Sequence, residues 1–228
     1  MLGMGASIST ASNGLAARLK DATRDLHRQA ERSGVMAELM QGRISRDVYC
    51  LMLRNLQPIY AALEVGLDAH NHADPSVQRL WRPELRRLPA LEQDLDYLHA
   101  GADWRRDLPM LRAAAEYAER LERLARTDAV LLIAHAYLRY LGDLHGGQML
   151  ARIVRQGLGL KGELGTAFYA FGGGDAQKLE QLKLGFRVGL DALTLTPEQA
   201  DAIVDEACEG FRLHASLFES VQGDGRLG

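Results

Sequence analysis

HAYLRYLGDLHGGQML, residues 135–150, is helical in its apolar spacing and yet carries three glycines in the helix interior. Gly142, Gly146 and Gly147 each cost roughly 1 kcal/mol against alanine at such positions. Close helix packing or a kink would explain any one of them. Three within six residues, with Gly142 and Gly146 one turn apart on one face, suggest instead that something bulky and flat approaches the backbone. Asp143 sits inside the cluster. A carboxylate beside bare backbone could anchor water and relay protons; on pattern alone it could equally be a solvated helix charge.

Outward from this segment the spacing stays helical. Thr127 is placed to cap the helix, which is expected to run to about Gly157, and residues 107–126 carry Leu111, Ala114, Ala118, Leu121 and Ala125 at helical intervals. Towards the N-terminus, Leu15, Leu19, Ala22 and Leu26 form one stripe with Asn13 as N-cap. Val48, Leu51, Met52, Ile59, Ala62 and Leu63 form another, with Pro58 expected to kink it. Asp74-Pro75 reads as a cap followed by an N1 proline, and Pro83 and Pro89 divide the next stretch. Towards the C-terminus, residues 158–174 hold six glycines around Phe168, Tyr169 and Phe171, a connecting loop with aromatic anchors. Helix resumes near Asp175, and Thr196-Pro197-Glu198-Gln199 is a capping box that opens a last helix ending near Val221. No stretch alternates with period two, and no repeat or linker divides the chain. The spacing predicts an all-α, single-domain fold over residues 14–221, with loose tails at 1–13 and 222–228.

The composition narrows the function classes. The 228 residues are 47% hydrophobic and 25% charged, an ordinary globular mixture, with a net charge of −3 that favours neither nucleic acid nor an anionic membrane. No apolar run is long enough to span a bilayer, and the first thirteen residues lack the basic start and apolar core of a secretory signal. Cys50 and Cys208 fit no CxxC or zinc spacing and read as thiols of a reducing compartment, so a cytoplasmic location is expected.

The segment YLRYLGDLHGGQ (137–148) strongly resembles the distal-helix signature of the haem oxygenase family. Further matches lie in the same order along the chain: LKDATRDLHRQAE (19–31), PIYAALE (58–64), ALEQDL (90–95) and LTLTP (193–197). Together they cover about residues 14–221, which makes the resemblance specific. It implies a soluble, bacterial-type enzyme in which haem lies between a proximal helix and a kinked distal helix. His27 matches the proximal iron ligand. By spacing alone His27 lies on the flank of its apolar stripe, about 100° from Leu26, where a partly buried polar residue is the ordinary reading. Glu31, one turn on, matches a partner for its imidazole. Lys20, two turns before His27, is placed to reach a propionate, as are Lys183 and Arg187 at i and i+4; these, with Tyr137, match the family's propionate-side positions.

The implied activity is oxidative cleavage of haem b, which is substrate and cofactor at once, to biliverdin, CO and Fe²⁺. It requires O₂ and external electrons, from a donor such as ferredoxin, flavodoxin or an NAD(P)H-dependent reductase. Gly142 and Gly146 would let an iron-bound O₂ lie flat, Asp143 would hold the water that delivers a proton, and Arg139 and Tyr60 would complete that network. The basic clamp implies attack at the α-meso carbon. A monomer is the default. His145 departs from the family, which carries a small residue there; a kink at the glycines is expected to turn it towards solvent or the neighbouring helix. His135 and, near helix ends or in polar turns, His70, His72, His99 and His214 are given no role. A haem carrier or sensor on the same fold is the main alternative, although it would need neither the glycines nor Asp143. A di-iron enzyme would need a second Glu-x-x-His-like motif that the chain lacks.

Overall fold

The computed structural model describes residues 14–100 and 103–225. Its helices are α1 (Leu15–Glu31), α2 (Gly34–Met40), α3 (Arg46–His70), α4 (Pro75–Leu80), α5 (Leu88–Leu98), α6 (Trp104–Asp107), α7 (Arg112–Thr127), α8 (Leu132–Ala136), α9 (Gly142–Leu158), α10 (Ala176–Asp191) and α11 (Pro197–Asp224), and no strand is present among the described residues. Between α8 and α9 the chain makes one π-helical turn, Tyr137–Leu141.

Several helix starts follow from their caps. Ser45 accepts the amide of Val48 and opens α3, which runs unbroken through Pro58. Asp74 accepts the amides of Ser76 and Val77 ahead of Pro75. Asp175 does the same for Gln177 and Lys178, and Thr196 and Gln199 close the expected capping box. Three expected boundaries move. Asn13 lies outside the described residues, and Gly14 stands at the N-cap of α1. Thr127 is not a cap: it is the last residue of α7, and the break comes at Asp128, whose backbone (φ −160°, ψ 79°) leaves the helical region. The last helix continues past Val221 to Asp224 because Val221 is fully buried and still held by the core.

The core forms where α3 lies along α7 and α5, and where α11 packs on α1, α2, α8 and α7. Helix α1 lies against α11, α10 and α2, and α9 against α10 and α2, while α1 and α9 do not pack extensively on each other. Two shared neighbours thus set the separation of these two helices. The glycine-rich connection from α9 to α10 is tied from below. Asp94 accepts the amides of Ala167 (2.9 Å) and Phe168 (2.8 Å), and the Arg87 guanidinium lies 3.9 Å from the centroid of Phe171. Phe168, Tyr169 and Phe171 are buried as anchors. Gly165 shows why glycine is needed here: it has φ +80°, and a Cβ would come within 3.0 Å of Leu98.

Candidate active site

The π turn decides where the site's polar side chains point. A π turn inserts one extra residue into the helical register, and such turns concentrate at functional sites. The irregularity expected at the glycines is this π turn at Tyr137–Leu141, which lies just before them. Arg139 lies in that turn and Asp143 in the first turn of α9. Both are buried, and Tyr60, from the middle of α3, is fully buried beside them.

The three side chains form one closed cluster. Tyr60 donates its hydroxyl hydrogen to Asp143 Oδ2. Arg139 donates from Nε to the Tyr60 oxygen at 2.8 Å and from Nη2 to Asp143 Oδ1 at 3.3 Å. Its remaining arm, Nη1, reaches His214 Nε2 on α11 at 2.6 Å. Burial pushes the Asp143 carboxyl above its ordinary range, while Arg139, Tyr60 and Arg87 pull against that rise without cancelling it. Burial also opposes charge on Arg139, but Asp143 and Tyr60 more than offset it and the guanidinium stays cationic. The result is a buried ion pair of Arg139 and Asp143, with Tyr60 bonded to both.

The glycines separate into two kinds. A Cβ at Gly147 would touch the Tyr169 ring at 3.4 Å, so this residue faces an internal neighbour. A Cβ at Gly142 or Gly146 would meet nothing within 4 Å. Their propensity cost has no internal packing to offset it, and their shared face is open beside Asp143. His145 is exposed and bonds its Nδ1 back to the Leu141 carbonyl at 2.7 Å, so its ring is engaged with its own helix and not with the cluster.

The other sequence-predicted residues lie on α1 and α10 and are not gathered in this way. His27 is exposed on α1, with Nδ1 3.7 Å from Glu31 Oε1 and its ring edge-on to Phe211 at 5.6 Å. Lys20 is exposed two turns before it. Tyr137 is half-buried and packs against the small cluster of Ala30, Leu138 and Phe211, which links the π turn to α1. Lys183 Nζ is bonded to Glu180 of its own helix at 2.6 Å, and Arg187 is exposed one turn further on.

Sequence reasoning missed a second buried chain behind the cluster. Tyr117 and His135 Nδ1 are 2.9 Å apart, His135 Nε2 lies 2.8 Å from Glu206 Oε1, and Arg120 grips the same carboxylate through two hydrogen bonds. Burial works against a charged Glu206, but its bonds to His135 and Arg120 outweigh that and hold it down at about 2. Burial keeps His135 neutral. His214, given no role from sequence, proves to be a fully buried member of the Asp143 cluster. A signal was present: His135, Arg139 and Asp143 recur every four residues, as do Glu206, Gly210 and His214.

Comparison with known proteins places these features in context. The Heme oxygenase family model matches residues 13–220. The chain is similar to Heme oxygenase 1 of Pongo abelii, 39% identical over 212 residues covering 91% of this chain and 72% of that protein. Heme oxygenase 1 of Nostoc sp. is 34% identical over 213 residues, 93% of this chain and 88% of that protein. Among solved structures, haem oxygenase-1 from the cyanobacterium Synechocystis, in complex with haem, superposes with a TM-score of 0.86 at 32% identity, covering 93% of this chain and 94% of that one. Haem oxygenase from Leptospira interrogans gives 0.85 at 29% identity, covering 91% and 99%.

Proposed function

The chain belongs to the haem oxygenase family and is a haem-degrading enzyme; from that premise we propose that His27 holds the iron and that Asp143 handles the proton that ring cleavage consumes. One observation carries this reading. The open face of Gly142 and Gly146 lies beside a buried carboxyl whose partners are all in place. A flat ring would fit against that bare backbone, and α1, held off by α10 and α2, supplies the opposite wall.

When bound, haem supplies both the iron that activates O₂ and the meso carbon that is attacked. His27 would bind it from α1, and Glu31, 3.7 Å from Nδ1, would close in to accept from that nitrogen and leave Nε2 free for the iron. Lys20, Lys183, Arg187 and Tyr137 fix the propionates, so that one meso edge, the α edge, is presented. For Lys183 this requires exchanging Glu180 for a propionate, one exposed carboxylate for another. Gly142 and Gly146 keep side chains away from the oxygen, and His145 stays outside. Asp143 passes a proton from its Oδ atoms to the oxygen side through bound water, while Tyr60 and Arg139 hold the carboxyl in one orientation. Products are biliverdin, CO and Fe²⁺. Electrons come from an external donor of the ferredoxin, flavodoxin or NAD(P)H-dependent reductase kind, and the enzyme works as a monomer in the cytoplasm. No helix among the described residues is long and apolar enough to cross a membrane.

The test is an absorption time course in air with one equivalent of hemin, ascorbate and catalase. The expected result is loss of the Soret band and growth of the red biliverdin band. A haem complex that survives both ascorbate and an enzymatic donor would overturn the reading in favour of a carrier.

A further inference from the structure

We infer that His214 is a positioning residue for this reaction: a neutral imidazole, protonated on Nδ1, whose bare Nε2 fixes Arg139 and through it Asp143. The inference rests on the proton-handling role given above to Asp143. Its physical basis is donor chemistry. A guanidinium can only donate, so the 2.6 Å approach of Arg139 Nη1 requires a lone pair on His214 Nε2. A doubly protonated imidazole would present a second donor and a second positive charge at that distance.

Each arm of Arg139 therefore has a different task. Nε holds Tyr60, Nη2 holds Asp143, and Nη1 is tied to α11 by His214. Without the third tie the guanidinium is free to turn about its stem, and the other two bonds turn with it. His214 is itself held on two sides: the Tyr117 ring from α7 meets it edge-on at 5.3 Å, and Phe218 of its own helix at 5.4 Å. The charged or titratable groups that face it are Arg139 from the π turn, Tyr117 from α7 and His135 from α8. Burial, Arg139 and His135 all disfavour a second proton on the ring, and Nδ1 is buried with no hydrogen-bond partner, so the tautomer that Arg139 requires leaves that one N–H unpaired.

His135 provides an internal control, because its geometry demands the opposite tautomer. Glu206 is ionised and accepts, so His135 must carry its proton on Nε2 and accept from Tyr117 at Nδ1. Two buried histidines on directly packed helices, α8 and α11, are thus expected to show mirror-image protonation.

The experiment has two readouts. Long-range ¹H–¹⁵N spectra of the haem-free protein should show His214 protonated on Nδ1 and His135 on Nε2, both staying neutral as pH falls through the ordinary histidine range. In the haem complex, His214→Leu should lower kcat on the order of 10–100-fold, with KM for haem unmoved, and His214→Gln, whose amide oxygen can replace Nε2, should recover most of it. An Nε2–H tautomer or a cationic His214 would overturn the assignment, as would a leucine variant that turns over like the parent. If the spectra are as expected but the parent itself does not consume haem, the functional reading has failed and the role of His214 in fixing Arg139 stands.

Discussion

The two walls between which haem is expected to lie are built in opposite ways. On the α9 side, Tyr60, Arg139, Asp143 and His214 come from four separate elements, are buried, and bond one another directly. On the α1 side, the His27 side chain is 50% exposed and its Glu31 partner stands at 3.7 Å, beyond a good hydrogen bond. The α9-side arrangement is closed by bonds among its own side chains. The α1-side one is a single presented side chain with no such closure.

The largest effect that would test this contrast is on ligation. His27→Ala should abolish the histidine-ligated ferric spectrum, with added imidazole restoring it, while the stability of the haem-free protein stays within about 0.5 kcal/mol, as for other exposed sites. A marked drop in Tm without haem would show that the proximal side is as deeply integrated as the distal one. Next comes Asp143→Asn, which keeps the shape but removes the charge. Haem should still bind, and biliverdin formation should fall about 10²–10⁴-fold. The haem-free protein should also lose stability, because Arg139 then stays buried with no anion. An undiminished biliverdin rate from this variant would end the proton role of Asp143.

How much of this was legible beforehand follows the same division. Helix starts with side-chain caps, such as Thr196-Pro197-Glu198-Gln199 and Asp74-Pro75, were readable because the cap chemistry is local. Asp143 stood out on pattern, as a carboxylate inside the glycine cluster, but Tyr60 and Arg139 were nameable only through the family resemblance; nothing in the spacing of Tyr60 brings α3 to the π turn. The π turn itself leaves no composition signature, which is why the irregularity was expected at the glycines. His214 and His135 were passed over because a lone histidine in a helix is uninformative singly. Their meaning lies in the alignment of two four-residue rows, one on each of two helices, where Gly210 lets His135 approach α11 so closely that a Cβ would lie 3.2 Å from its ring.

The buried histidines give the distal side a pH signature. Burial lowers the folded-state pKa of both His135 and His214. Below about pH 6.5, the ordinary histidine value, the unfolded chain therefore takes up protons that the folded protein refuses, and stability falls as pH falls. Asp94 works the other way: burial raises it to about 6, so its contribution is present in acid and is lost as pH rises from about 4 through 6. Comparison with a variant isolates one histidine from this mixture. In urea melts between pH 7 and 5.5, His214→Gln should lose stability less steeply than the parent, by up to about 1.4 kcal/mol per pH unit. Parallel slopes would mean that His214 is protonated in the folded state and does not serve the distal cluster as an acceptor.

The smallest effect is the one that tests the open face most directly, because it separates two adjacent glycines of one helix. Gly146→Ala removes backbone freedom and adds a methyl group that meets nothing beyond its own helical turn within 4 Å, so the haem-free protein should gain up to about 1 kcal/mol. Gly147→Ala places its methyl in ordinary contact with Tyr169 at 3.4 Å, and should change stability by a similar or smaller amount. Binding should divide them. The Gly146 methyl occupies space that a flat ring would need, so hemin titration should show weakened affinity for that variant and parental affinity for Gly147→Ala. A more stable Gly146→Ala that binds hemin as the parent does would mean that the glycine face is not the haem face. The ring would then have to lie against some other part of the distal wall, and the adjacency of Asp143 to open backbone would lose its chemical meaning.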